Sequence, residues 1–370
     1  MHLFKDQKAY AVVSVLLMST SISSCATSSG VLEENTTEID AGKISLQNPA
    51  DKFDLSHWSI TLPVDDDENG KVDVVNEVDI QSFHHSDYFY IDEDGFMVFM
   101  SPNKASTTPN STNTRSELRF ESRGGNLSIK GNNPKNNFAL AANENASDYA
   151  AVGGKLEATL KVDHVSRNAG YPDKEPAYSV VIGQIHAGKL KTKVDGFGWG
   201  NEPLKISFKK WPDHEYGSVY WTYERNLAVD NPDRIDIEYL VWGNSWADSA
   251  TPELKGIKLG EEFSYTVNIH ENTMYLTFEN ERLGTKTFKI NLSNNVDANG
   301  EIDSLDHPNG YTGDYLYFKA GAYNQCSTKD APSFRYPACP GTGNLEQDII
   351  DGNYTQVSFR KLSVSEATPN

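Results

Sequence analysis

From about residue 45 onward, apolar residues recur at every second position in runs too short for anything but strands. KISFKKW, SVYWTYE, RIDIEYLVW, FSYTVNIH, MYLTFEN and QVSFRKLSV all alternate, and clusters of Gly, Pro, Asn and Asp separate them. Side chains along a strand point to opposite faces in turn, so a period of two means one buried face and one wet face. No segment sustains the 3.6-residue period of an amphipathic helix. The pattern predicts an all-β domain over residues 48–367, a two-sheet antiparallel β-sandwich of the jelly-roll kind. A sandwich does not need so many residues. The excess falls in long loops, at 64–78, 101–113, 187–203, 243–256, 294–313 and 326–350, and loops on a rigid sandwich frame a curved groove.

Charge limits what such a sandwich binds. Asp and Glu outnumber Lys and Arg by 52 to 33, a formal net charge of −19. A surface of that sign repels nucleic acid and anionic lipid, so an anionic partner would have to meet a local basic cluster. The first residues stand apart from the fold. Lys5 and Lys8 precede an apolar run, Ala9 to Met18, that is too short to span a bilayer. The run leads into Ile22-Ser23-Ser24-Cys25, which resembles a bacterial lipobox. Residues 1–24 are therefore expected to be a lipoprotein-type signal peptide and Cys25 an acylated mature N-terminus. Ordinary secretion with an incidental Cys is the alternative. Residues 25–47, rich in Ser, Thr, Glu and Asn, read as a flexible tether. On this reading the protein is exported to a bacterial outer membrane or cell surface and meets the membrane only through that lipid.

Two cysteines remain, Cys326 and Cys339, thirteen apart around a Pro-containing segment. In an exported chain they suggest a disulfide clamping a loop. A free thiol nucleophile reads less well in an oxidising compartment.

Three strands carry one chemistry. In NTRSELRFES, Arg115, Glu117 and Arg119 share a face, and a carboxylate between two guanidinium groups fixes both while leaving donors for an external anion. In SVVIGQIHAG, Gln184 and His186 share a face opposite Ile185. In YLYFKAGAYNQ, Tyr317, Lys319, Gly321, Tyr323 and Gln325 alternate with Leu316, Phe318, Ala320 and Ala322. Each alone reads as a solvated strand face or a structural His. As neighbours in one sheet they would pave a cationic, hydrogen-bonding groove suited to an acidic sugar polymer.

RSELR, QIH and YFKAGAYNQ resemble, in order, the three motifs of the family-7 polysaccharide lyases, alginate lyases with a β-jelly-roll fold. HWSITLPV and YTQVSFRKLSV resemble the two ends of that family, so the likeness spans most of residues 50–365. The resemblance implies β-elimination at 1,4-linked uronate, with Arg115, Gln184, His186 and Tyr323 as the catalytic set. It also implies substrate contacts at Glu117, Arg119, Lys319 and Gln325. Proton loss from C5 loads charge onto the uronate carboxylate, which Arg115, Gln184 and His186 would neutralise. A base must take that proton while an acid protonates O4. Mannuronate has H5 and O4 on one side of the ring, so Tyr323 can serve as both. Guluronate has them on opposite sides, which calls for His186 as base. Within the family Ile at the centre of QIH goes with guluronate, so Ile185 points that way. Tyr317 reads equally as a sugar platform or a core residue. The loops 187–203 and 326–339 are expected to wall off one end of the groove and favour exolytic attack on oligosaccharides. The expected partner is alginate polymer or oligomer, met by a monomer with no cofactor.

Two other functions fit parts of the chain. Asp236 and Glu238 in DRIDIEYLVW approach the carboxylate row of a jelly-roll glycoside hydrolase, but Arg234 stands where its first Glu belongs. A non-catalytic lectin for acidic glycans would use the same basic groove without needing both His186 and Tyr323. Asp65–Asn76 and Asn295–Asp306 echo a calcium loop, yet each lacks the Glu at position twelve, and plain Asp-Asn-Gly turns account for both.

Overall fold

The structure, a computed structural model, describes residues 47–189 and 198–369. The expected signal peptide, Cys25, nearly all of the tether and residues 190–197 of the 187–203 loop lie outside the described residues. In chain order the longer strands are β1 (Trp58–Thr61), β2 (Phe89–Ile91), β3 (Met97–Pro102), β4 (Asn113–Phe120), β5 (Gly154–His164), β6 (Ser179–Lys189) and β7 (Leu204–Lys209). They continue as β8 (Tyr216–Glu224), β9 (Asp236–Trp242), β10 (Phe263–His270), β11 (Thr273–Asn280), β12 (Gly284–Asn291), β13 (Asp314–Ser327) and β14 (Tyr354–Ser365). Among the described residues one sheet runs β9–β8–β7–β6–β13–β4–β1 and the other β12–β11–β10–β5–β14–β3–β2. Strands distant in sequence lie side by side, β13 between β6 and β4, and β14 between β5 and β3. This is the two-sheet antiparallel jelly roll that the alternation predicts.

The buried faces meet between the sheets. On β13, Leu316, Phe318, Ala320 and Ala322 are all within 1% of complete burial, as the period of two requires. Phe318 packs on Phe138 at 5.0 Å, and the sheets interlock through Trp221 with Phe288 at 5.7 Å and Trp242 with Phe263 at 6.0 Å. Tyr265 of β10 sends its hydroxyl to the carbonyl of Ile182 at 3.1 Å. Gly183 makes that reach possible, because a Cβ there would lie 2.4 Å from the hydroxyl.

One irregularity positions the active strand. β13 keeps a regular register with β4 from Lys319 to Tyr323 but slips against β6 between Ala320 and Tyr323. Gly321 occupies the slip at φ 143°, where a Cβ would press within 2.5 Å of the Ser116 carbonyl. A bulge re-aims the side chains beside it, and this one falls two residues before Tyr323.

The last long loop is more ordered than expected. It contains a helix, α1 (Leu345–Asp351), that the absence of a 3.6-residue period did not foretell. Asn344 accepts the Gln347 amide at one end, and Gly352 at φ 73° closes the other. In the 64–78 loop, Asp65 accepts the Asn69 and Gly70 amides, and Asp65, Asp67 and Asp73 gather their carboxylates. In the 294–313 loop, Asp297 accepts the amides of Asn299 and Glu301, and Asp303 pairs with Arg225 at 2.7 Å. Both stretches form turns held by their own side chains.

Candidate active site

The three motifs lie on adjacent strands, and register aligns them into a row. Arg119 on β4 is opposite Lys319 on β13, Lys319 is opposite Gln184 on β6, and Gln184 is opposite Lys205 on β7. One step along, His186 is opposite Tyr317, and on the other side Tyr323 is opposite Arg115. The polar face of this sheet is therefore one continuous surface.

Glu117 is the hub of one half. It is 2% exposed, and its carboxylate accepts the Gln184 amide, the Lys319 ammonium and, at 3.3 Å, Arg115 Nη1. Burial by itself would raise the Glu117 pKa, but Lys319 and Arg115 outweigh it and hold the group below the ordinary carboxylate range. Lys319 is pushed down to about 8, first by burial and then by Arg115, against the pull of Glu117. The strand period sets Glu117 between Arg115 and Arg119, and the family resemblance places it at the substrate. The structure corrects the bridge: Glu117 joins Arg115 to Lys319. Arg119 turns away to Glu121, to Asn137 and the Gly131 carbonyl, and lies 4.0 Å over the ring of Tyr317. The acceptor for Arg119 is thus Glu121, two residues further along the same face.

Tyr317 is not a core residue. It is held between Arg119 and His186, whose ring stacks on it at 5.2 Å and 7°. Gln325, expected at the substrate, turns its amide back to the Tyr323 carbonyl at 3.2 Å and is 6% exposed.

Lys205 is the hub of the other half. Its ammonium is 2.9 Å from Asp236, 3.3 Å from Glu224 and 3.7 Å from Glu202. Arg335 joins Asp236, and Arg234 donates to Glu224 at 2.8 Å. Glu202 also meets His186 Nε2 at 3.0 Å, while His186 Nδ1 donates to the Ala187 carbonyl at 2.6 Å. Asp236 is thus buried among cations, and Glu238 is spent on Ser245 and Trp246 at 2.6 Å each. Neither is free to work as a hydrolase acid.

Over this floor is a cleft of about 640 Å³. Arg115, Gln184, His186 and Tyr323 all line it, so the expected catalytic set converges on one space. Lys319, Arg119, Glu117 and Gln325 lie behind or beside that lining. Arg115 lies 4.0 Å over the Tyr323 ring, and both reach Ser111, the guanidinium at 2.9 Å and the hydroxyl at 3.4 Å. Four cations, Arg115, Lys205, Arg234 and Arg335, line the cleft against two carboxylates, Glu202 and Glu224. One wall is the segment closed by the Cys326–Cys339 disulfide, which brings Phe334, Arg335 and Tyr336 to the cleft. Lys174 pins that segment by donating to the carbonyls of Ala331, Phe334 and Tyr336, and Arg335 pins it to Asp236. Ser111, Glu202, Arg335 and Tyr336 escape sequence reading because they reach the site from loops with no period. The nearest signal is the pair Glu202 and Lys205 in NEPLK, three apart where the loop enters β7.

A jelly roll with a cationic cleft holding Arg, Gln, His and Tyr is the equipment of a lyase for acidic polysaccharide. The alginate lyase family profile matches residues 53–366, and the chain belongs to that family, the family-7 polysaccharide lyases. It is 35% identical over 290 residues to an alginate lyase of Klebsiella pneumoniae, covering 76% of this chain and 85% of that protein. The crystal structure of the alginate lyase from Klebsiella pneumoniae superposes with a TM-score of 0.67 at 30% identity, over 87% of this chain and 99% of the other. The exolytic family-7 alginate lyase of Zobellia galactanivorans superposes with a TM-score of 0.68 at 31% identity, over 87% and 99%. The protein is a polysaccharide lyase acting on alginate. The hydrolase and lectin readings fall with that assignment.

Proposed function

We propose that this alginate lyase takes guluronate-containing oligo-alginate by a chain end, in a cleft closed on one side, with Tyr323 and His186 dividing the proton transfers. The convergence of Arg115, Gln184, His186 and Tyr323 on one cleft with a surplus of cations, in a chain whose net charge is −19, carries the part of this reading that concerns the acidic sugar and its elimination. In the elimination the C5–H bond breaks and its proton goes to the base. The electron pair forms the C4–C5 double bond, the C4–O4 bond breaks, and O4 takes a proton from Tyr323. Arg115 and Gln184 hold the carboxylate while charge builds on it. For guluronate the base is His186; for mannuronate Tyr323 fills both roles. Ile185 is fully buried, so any influence on the epimer reaches the cleft only through the strand it shares with Gln184 and His186.

End-wise action is supported by the pinned wall at Phe334–Tyr336 and by likeness to a relative described as exolytic. Digestion of polyguluronate and polymannuronate, followed by the ultraviolet absorbance of the new double bond and by sizing of early products, tests both points. Monomers and dimers from the outset, with guluronate faster, are expected. A ladder of mid-sized oligomers would refute end-wise action, and faster mannuronate cleavage would refute the epimer. We also propose that the chain is exported, acylated at Cys25 and monomeric. Mass analysis of the mature N-terminus tests the lipid, and light scattering of the delipidated chain tests the monomer.

A further inference from the structure

His186 has an acceptor at each ring nitrogen. The Ala187 carbonyl lies 2.6 Å from Nδ1, and a carbonyl only accepts, so Nδ1 carries a hydrogen. Glu202 lies 3.0 Å from Nε2. The ring is therefore held at both nitrogens, by a carbonyl on one side and a carboxylate on the other. Everything else packed around the pair keeps it in place. Tyr317 stacks on the ring from β13, with Arg119 of β4 covering Tyr317. Lys205 of β7 stands 3.7 Å from the second oxygen of Glu202, and Glu224 of β8 accepts the Glu202 backbone amide at 3.3 Å. On β6 itself the neighbour on this face is the uncharged Gln184.

The surroundings also say which carboxyl is ionised. Burial, reinforced by Glu202, pushes Glu224 up to about 8. Glu202 goes the other way: burial opposes its charge, but His186 and Lys205 outweigh burial and hold it well below the ordinary range. The charge of this carboxyl pair therefore rests on Glu202, beside the imidazole.

We propose that Glu202 is a positioning residue that fixes the orientation of the His186 ring in the cleft, so that guluronate cleavage depends on it and mannuronate cleavage does not. This rests on the roles given above to His186 and Tyr323. Guluronate needs a bare Nε2 to receive H5. When H5 arrives, the C5–H pair moves into the C4–C5 bond, O4 leaves with the Tyr323 proton, and the imidazolium formed faces the Glu202 carboxylate. Glu202 thus holds the ring that receives H5 and faces the positive charge that forms on it.

The test compares the full chain with Glu202→Gln on polyguluronate and polymannuronate separately. Loss of the carboxylate that holds the ring should lower kcat on polyguluronate severalfold with KM nearly unchanged. Turnover of polymannuronate should stay as it is, and Glu202→Asp should restore part of the guluronate loss. Guluronate turnover that does not change, or equal losses on both blocks, would overturn the proposal. Nitrogen-15 spectra of the His186 ring separate it from the underlying roles. Wild type inert on polyguluronate refutes His186 as base, and ring signals identical in wild type and Glu202→Gln refute the pairing itself.

Discussion

The floor of the cleft holds two charged clusters of opposite construction, one on each side of Gln184. Around Glu117 a single carboxylate serves two cations, Lys319 and Arg115, and an amide. Around Lys205 a single ammonium serves three carboxylates, two of which also take Arg234 and Arg335. The first cluster is left with an excess of positive charge beside Tyr323. The second consumes most of its charge internally and presents Glu202 to His186. One sheet face therefore supplies both an attractor for the uronate carboxylate and a setting for a base, a few ångströms apart. The buried hubs do not serve stability first. Replacing a buried ionic cluster by packed apolar groups is often neutral or stabilising, whereas removing one partner is costly.

The largest effect separates the chemistry of the two halves. Tyr323→Phe should reduce kcat by about 10⁴-fold on both polyguluronate and polymannuronate, about 5.5 kcal/mol, with KM nearly unchanged. His186→Asn should reduce turnover of polyguluronate alone. Steady-state kinetics on the two blocks decide this, and equal losses in both variants on both blocks would abolish the division of labour.

The next effect distinguishes the hubs. Glu117→Gln and Lys205→Met should each cost about 4 kcal/mol near neutral pH, because each removes the shared partner of a buried ionic cluster. Their pH responses should be opposite. Without Lys205 the carboxylates repel and their folded pKa values rise above the unfolded ones, so stability returns as pH falls through them. Without Glu117 the Lys319 amine is depressed further, so stability returns as pH rises. Urea melts of both variants at mildly acidic and mildly alkaline pH show the crossing; parallel trends would mean that the clusters are not electrostatically opposite.

The same contrast explains what the sequence could convey. Alternation in β13 assigned Leu316, Phe318, Ala320 and Ala322 to the core and Tyr323 to the cleft, because a strand's period is a local property, but it left Tyr317 open and did not show that Lys319 is buried against Glu117. Neighbourhood is not. That Glu117 would hold Lys319, some 202 positions away, follows only from β4 and β13 pairing, which the three motifs did not encode. Arg119 looked tied to Glu117 because both share a face, and Glu121 was no further along that face. Glu202 and Arg335 lay in stretches read as loops, where no period tells which way a side chain points. The chemistry of the first cluster was therefore largely legible, while most of the second emerged only from the fold.

A smaller effect tests the wall that joins the two halves. The Cys326–Cys339 bridge closes a thirteen-residue separation, and its loss should cost about 3 kcal/mol if it constrains the unfolded chain. In the double Ala variant the Phe334–Tyr336 segment loses its covalent clamp and is held by non-covalent ties such as those of Lys174 and Arg335. Early products should then lengthen at unchanged epimer preference, as chromatography of short digests would show. Product sizes that stay the same would mean that the disulfide braces the fold without shaping the cleft.

The smallest effect concerns the surplus charge itself. Lys319 is shifted from 10.5 to about 8, chiefly by burial. Above pH 8 its amine loses the proton, Glu117 is left to Arg115, and the first cluster changes from a net positive to a neutral one. KM for alginate should then rise about threefold, a loss below 1 kcal/mol and within what one nearby charge contributes through partly wet surroundings. Stability should change the other way. A depressed amine binds fewer protons folded than unfolded between pH 8 and 10.5, so the fold gains stability as pH rises through that window. KM and urea midpoints measured on either side of pH 8 should therefore diverge, one worsening as the other improves. Lys319→Arg should flatten both trends, since a guanidinium keeps its charge throughout the window. If wild-type affinity and stability instead fall together, the alkaline loss belongs to a group outside the Glu117 cluster, and the cationic surplus there is not what holds the substrate.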